Sequence, residues 1–224
     1  MKLSVIIPVY NEASTLAILL ERVLAVSFEK EVLIVDDGSD QATKALLETA
    51  VSSNDNVRLL THPQNQGKGA AICTALDHLS GDVVIIQDAD LEYFPEDYAG
   101  LLDVYQQNNA QAVYGVRDLS NRSKLMRFGN EAMTFITNVL FGSKLHDMET
   151  CYKLIDRQLM QSLQLSSRGF EIEAEITSKL LNKQTKIWEA PIRYEHREEG
   201  KKLTPWDGIP TVKALLKYRF QRQK

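Results

Sequence analysis

The 224-residue sequence predicts an α/β fold, with a mainly parallel sheet carrying helices on both faces. Three observations predict it. Short runs rich in β-branched residues recur through the first half, each bounded by turn residues. Segments with helical periodicity separate them, the alternation that builds parallel sheets. A polar cluster follows most of the runs, at the strand ends where open α/β sheets bind ligands.

In order, Leu3–Val9 reads as a strand and Asn11–Val26 as a helix, with apolar Leu16, Leu19, Leu20, Val23 and Leu24. Val32–Val35, Val57–Leu60, Val83–Gln87 and Ala112–Gly115 are the next four strands. Gln41–Val51, Lys68–Leu79 and Glu96–Gln107 are the helices between them. The second half is less regular, with helices over Ser123–Phe141 and Phe170–Asn182, a strand over Ile187–Tyr194 and a basic helix over Thr211–Arg222. No internal repeat or low-complexity segment interrupts the chain. We read one domain over 1–224, divided into a ligand-binding half (1–115), a second half (116–203) and a terminal amphipathic helix (204–224).

Composition excludes several classes. A hydrophobic fraction of 44% suits one good core, and 25% charged residues are ordinary for a soluble protein. No run approaches the roughly 18–20 apolar residues of a membrane span. The first residues are too soon interrupted by Pro8 to form a signal peptide. Cys73 and Cys151 lack metal-ligand spacing and read as reduced, in a cytoplasmic setting. The net charge of −4 divides into −11 over residues 1–110 and +7 over the rest. An acidic half joined to a basic half fits a ligand bearing both a cation and an anionic group. No basic stripe interleaved with aromatics points to nucleic acid.

The chemistry gathers at the strand ends. Asp88-Ala89-Asp90 follows the fourth strand, and two hard carboxylates on a short turn suit Mg2+ or Mn2+ carrying a diphosphate. After the first strand, Tyr10 can stack on a base and Glu12 can accept from a ribose or base, although Asn11 could equally cap the helix. Asp36-Asp37-Gly38-Ser39-Asp40 offers both a cap and a base- or ribose-binding edge. Asn65-Gln66-Gly67-Lys68-Gly69 makes an anion-friendly helix start, but it is not a nucleotide-kinase P-loop. No GxGxxG follows the first strand, which disfavours a dinucleotide-binding dehydrogenase. The four histidines are scattered without ligand spacing.

Pro8–Glu12, Asp36–Asp40, Asn65–Gly69 and Asp88–Asp90 together resemble the family 2 inverting glycosyltransferases. Asp147–Lys153, Phe170–Ile176, Glu189–Tyr194 and Arg197–Leu203 resemble the dolichol-phosphate mannosyltransferases and bacterial polyprenyl-phosphate relatives within it. That resemblance implies the A-type glycosyltransferase fold, binding a nucleotide sugar. It implies a metal-dependent, inverting transfer of a hexose from a GDP- or UDP-sugar to a polyprenyl phosphate at the cytoplasmic face of a membrane. It implies substrate contacts at Pro8, Tyr10, Glu12, Val35, Asp37, Asp88 and Ala89. It places metal binding at Asp90, with Glu92 and Asp88 assisting. Arg117, Arg197 and Lys202 fall where the family holds the diphosphate and acceptor phosphate, and Arg127 could grip the acceptor as well. Asp90, Arg117 and Arg197 would carry catalysis.

Glu92 departs from the family, which often has Gln, Ser or His there. Many relatives carry transmembrane helices beyond this region, so this chain is expected to borrow its membrane contact. The apolar faces of Ser123–Phe141 and of the terminal helix, or a membrane-protein partner, would supply it. Asp147 and Glu149 are base candidates if the acceptor is a hydroxyl. For a phosphate acceptor, Asp147 more naturally orients arginines. Glu175 is expected to reach such an arginine, and Glu173 to lie on a solvated helix face. Two other readings stay open: a soluble family 2 transferase acting on a saccharide hydroxyl, and a non-catalytic nucleotide-sugar-binding subunit.

Overall fold

A computed structural model describes residues 1–120, 122, 124–196 and 208–221. Seven strands form one sheet: β1 (Leu3–Val9), β2 (Lys30–Asp36), β3 (Val57–Thr61), β4 (Val83–Ile86), β5 (Ala112–Arg117), β6 (Lys153–Asp156) and β7 (Ile187–Ile192). Their order is β3-β2-β1-β4-β6-β5-β7. All pairings are parallel except those of β6, which runs antiparallel to β4 and β5. The β-branched runs pack as the pattern requires: every residue of β4 is buried, as is β2 from Glu31 onward.

The chain leaves β1 in one direction to β2 and β3, then returns to lay β4 on the other side. That reversal opens a crevice beyond the carboxyl ends of β1 and β4. The acidic turn therefore sits at the mouth of the crevice by topology.

The helices are α1 (Leu16–Ala25), α2 (Gln41–Ser52), α3 (Lys68–Leu76), α4 (Tyr98–Gln107), α5 (Lys124–Phe141), α6 (Arg157–Ser162), α7 (Ile172–Asn182) and α8 (Gly208–Phe220). Asp40 caps α2, its carboxylate accepting from Thr43 N at 2.9 Å. Asn11 does not cap α1. It takes a left-handed conformation (φ 53°), which Asn tolerates, and ties the first two strand ends together. Its N–H donates to Ser39 Oγ (3.1 Å), and its Oδ1 accepts from Asp40 N (2.8 Å).

β6 and α6 were not expected from the sequence. β6 is only four residues long, and Lys153 and Asp156 at its ends mask the apolar pair Leu154-Ile155. The terminal helix departs from expectation too. Thr211, Ala214, Leu215 and Tyr218 of α8 are buried, and the helix packs on α5 and α7 through a small core that includes Met148 and Ala174. Ile209, Leu216 and Phe220 stay exposed.

At the opposite edge of the sheet, Glu31 is buried and accepts from Ser4 Oγ (2.5 Å), Ser80 N (2.6 Å), Ser80 Oγ (2.7 Å) and Gly81 N (3.1 Å). Burial pushes its pKa up, but these hydrogen bonds outweigh burial and bring it down to about 2 from the ordinary 4.5. A depressed folded pKa stabilises above the unfolded value, and that stabilisation is lost as pH falls through the folded one. Glu31→Gln should therefore cost about 1–3 kcal/mol at pH 7. The gap to wild type should close between pH 4.5 and about 2. Urea denaturation across that window checks it, and a gap that stays constant with pH would contradict it.

Candidate active site

A cleft of about 620 Å³ opens over the carboxyl ends of β1, β2 and β4. Pro8, Tyr10, Glu12, Asp37, Asp88, Ala89, Asp90, Glu92 and Arg117 all line it, so residues spread over 110 positions converge on one surface. Val35 does not line it. Its side chain is fully buried in β2, as part of the core. Arg127 does not line it either, because on exposed α5 it faces Glu131 at 3.8 Å. Arg197 and Lys202 lie outside the described residues.

The acidic turn is held from below. Gln87 is fully buried, and its Oε1 accepts from the hydroxyls of Tyr98 and Tyr152, each at 2.6 Å. Its Nε2 donates to the Asp88 carbonyl at 2.9 Å. Thr15 Oγ1 donates to the Ala89 carbonyl at 2.6 Å, fixing the turn to the start of α1. Asp90 Oδ1 accepts from Glu92 N at 3.1 Å, across Leu91 in the left-handed region (φ 64°). The turn is a fixed platform carrying carboxylates on both sides of Ala89.

Lys68 at the start of α3 reaches Asp88 Oδ1 at 2.7 Å and Glu173 Oε1 at 3.1 Å. Burial opposes its charge, but Asp88 foremost and Glu173 beside it hold its pKa well above the ordinary value. Glu173 also binds Lys153, whose side chain is completely buried. Glu173 is thus not on a solvated face: it is the anion between two lysines beneath the cleft. The sequence carried no local signal for this, since Lys68 lies more than 100 residues away.

Asp37 lines the cleft, yet both its oxygens are engaged by the β3–α3 loop. Oδ1 accepts from Gln66 N (2.8 Å) and lies 2.7 Å from His62 Nδ1, and Oδ2 accepts from Gly67 N (2.8 Å). Gly67 adopts φ 101°, and a Cβ there would lie 2.3 Å from the Arg168 carbonyl oxygen. That carbonyl accepts from Ala70 N at 3.1 Å, so protein backbone meets the α3 N-terminus where an anion was expected.

Also lining the cleft, Arg117 at the end of β5 grips Asp147 with Nε and Nη2 (2.7 and 2.9 Å), and Nη2 also donates to Asn130 Oδ1 at 2.7 Å. Asp147 is buried and orients this arginine. Glu92 lines the cleft beside Asp90, to which its N–H donates. Its carboxylate accepts from the Tyr194 hydroxyl and lies 3.0 Å from His196 Nδ1. Among the described residues, no arginine is a hydrogen-bond or ion-pair partner of Glu175. It accepts from Ser166 N and Ser167 N and pairs with Lys179, clamping a loop. Glu149 lines the cleft, and burial raises its pKa.

The mouth is apolar. Met126, Phe128 and Met133 of α5 line it, and Phe128, Phe135 and Val139 are about two-thirds exposed. Among the described residues, no helix is long and apolar enough to cross a membrane.

The family model for glycosyl transferase family 2 matches residues 4–163. The chain belongs to glycosyl transferase family 2. This family 2 glycosyltransferase is 29% identical over 209 residues to the polyprenol monophosphomannose synthase of Mycolicibacterium smegmatis, covering 88% of this chain and 78% of that one. It is 34% identical over 131 residues to an undecaprenyl-phosphate 4-deoxy-4-formamido-L-arabinose transferase of Photorhabdus laumondii, covering 56% of this chain and 40% of that one. It thus resembles the polyprenyl-phosphate glycosyltransferases, although it spans under half of the second relative. Among solved structures, it matches a glucosyl-3-phosphoglycerate synthase of Mycobacterium tuberculosis with a TM-score of 0.77 and 20% identity, over 99% of this chain and 80% of that one. That protein was crystallised with Mn2+, UDP and phosphoglyceric acid. The likeness establishes the A-type glycosyltransferase fold for this chain.

Proposed function

We propose that this glycosyltransferase moves a hexose from a nucleotide sugar to a polyprenyl phosphate, with inversion at the anomeric carbon. One observation carries the reading. The acidic turn and Arg117, which Asp147 holds in place, line a single cleft that apolar Met126, Phe128 and Met133 also line, as a diphosphate donor and an isoprenoid phosphate acceptor together require.

Tyr10 and Glu12 would receive the nucleoside, with Asp37 holding the adjoining loop in shape. A divalent cation fits the donor set of the turn. Asp90 and Asp88 offer hard oxygens, and Mg2+ or Mn2+ bound through one or two carboxylates keeps its remaining positions for phosphate and water. Among the described residues no group of three or more His, Cys, Asp or Glu forms a ready-made cage, which this mode of binding does not need. Asp90, with Asp88, would hold the cation, whose chemistry there is to neutralise the departing nucleoside diphosphate.

The acceptor phosphate, with a second pKa near ~6, is already largely ionised at neutral pH. The attacking oxygen therefore needs no protein base. The protein's work is positioning and charge stabilisation, the terms that dominate such displacements. Arg117, locked by Asp147 and Asn130, would orient that phosphate for attack opposite the leaving group. A second reading rests on Glu149. A cleft-lining carboxyl with a raised pKa is what a hydroxyl acceptor would need as general base. Transfer of radiolabel from donor to acceptor separates the two. Label in an organic-extractable lipid supports the first, and label only in soluble saccharide would overturn it. Binding of donor without turnover would leave the non-catalytic subunit.

The exposed Phe128 and Phe135 would enter the acyl boundary of a membrane, giving reversible peripheral attachment. Changing both to Ser should lower association with anionic vesicles by about 10-fold or more in a flotation assay. Unchanged flotation would assign that face to a membrane-protein partner instead.

A further inference from the structure

We infer that Arg122 is a phosphate-binding residue, forming with Arg117 a two-guanidinium cradle across the ring of Tyr194. The inference rests on the reading above and extends it to a residue outside the sequence-derived set.

Arg122 lines the cleft with only 13% of its side chain exposed. Its guanidinium lies 5.0 Å from the Tyr194 ring centroid and that of Arg117 lies 5.2 Å from the same centroid, so one aromatic ring serves both cations. Its Nη2 donates to the Tyr194 hydroxyl, which in turn donates to Glu92. Glu92 itself stands 4.0 Å from Nη2.

The deciding feature is Nε. It is buried, and among the described residues it has no hydrogen-bond partner. A buried charged donor without an acceptor is costly unless a ligand supplies one. Phosphate oxygens suit a guanidinium better than any neutral group, because the planar fork meets two of them at once. In this arrangement Glu92 and Tyr194 are positioning residues. They fix one edge of the guanidinium and leave the Nε edge for the ligand. The source of the phosphate is the acceptor lipid or the donor's diphosphate, and the two are separable by experiment.

The test measures affinities of the full chain for farnesyl phosphate and, separately, for the nucleotide sugar with Mn2+. Arg122→Ala should weaken farnesyl phosphate binding about 10-fold or more while donor affinity stays within about twofold. A loss confined to the donor would assign the phosphate to the diphosphate instead, with Arg122 still its ligand. Tyr194→Phe should weaken the same ligand less, by loosening the guanidinium without removing it. If Arg122→Ala does not fold, Arg122→Gln carries the same comparison. Both affinities unchanged in a folded variant would overturn the inference. Wild-type protein that binds donor but not farnesyl phosphate would remove the lipid acceptor, whatever Arg122 does.

Discussion

Asp90→Ala is expected to abolish metal-dependent transfer while leaving the fold intact. Asp90 stands on a turn whose shape is set by other residues: Gln87 holds the Asp88 carbonyl, and Thr15 holds that of Ala89. Its carboxylate accepts a hydrogen bond from Glu92 N at 3.1 Å. Losing it should cost about 1 kcal/mol, a shift of roughly 2–4 °C in a chain of this size. On the proposed function, the catalytic loss should be far larger, at least about 100-fold in kcat, because stabilising the departing diphosphate would be the main electrostatic task of the site. Steady-state kinetics over a manganese series, beside a melting curve, separates the two effects. A variant that keeps its full rate would sink the metal role.

The second large effect lies beneath the cleft. Glu173→Ala should destabilise the protein by about 3–5 kcal/mol, because it strands the completely buried Lys153 without its anion. Lys153 keeps the Thr150 carbonyl and the face of Tyr114, 4.9 Å from its Nζ, but neither carries a full negative charge. Lys68 would lose one of its two carboxylates at the same time, so Asp88 would be held less firmly. Lys153→Met combined with Glu173→Leu should recover most of the lost stability, since apolar residues of similar volume avoid the desolvation cost of a buried pair. Denaturant unfolding of the two single variants and the double measures the coupling. A Glu173→Ala variant as stable as wild type would show that the ion pair contributes nothing to the fold.

The difference between these two sites explains how much of the molecule was legible in the sequence. β1, β2 and β4 were legible because each is built on an uninterrupted apolar run (Val5–Ile7, Val32–Val35 and Val83–Ile86), and a buried parallel strand needs little more. The acidic turn followed from its place after β4, and the crevice from the alternation of strands and helices. β6 was hidden by its length and by a lysine whose charge reads as surface. That lysine is buried only because Glu173, 20 residues on, meets it.

The same limit applied to individual side chains. Glu173 reads as solvated until α7 is placed under the cleft, and the contacts of Glu92 with Tyr194 and His196 leave no local trace in the sequence. Arg127 looked like an acceptor clamp because a guanidinium can grip a phosphate with two hydrogen bonds, but on α5 it faces Glu131 one turn on. Arg122, five residues earlier, points into the cleft instead. Local patterning fixes which elements form and which edge binds. Which of several nearby charges faces the ligand depends on packing across the sheet.

The account stands or falls on where the donor's diphosphate rests. A crystal structure of the protein with Mn2+ and its nucleotide sugar should show the cation between the Asp88–Asp90 turn and the diphosphate, with the anomeric carbon turned toward Arg117. A diphosphate bound elsewhere, with that turn bare, would contradict it.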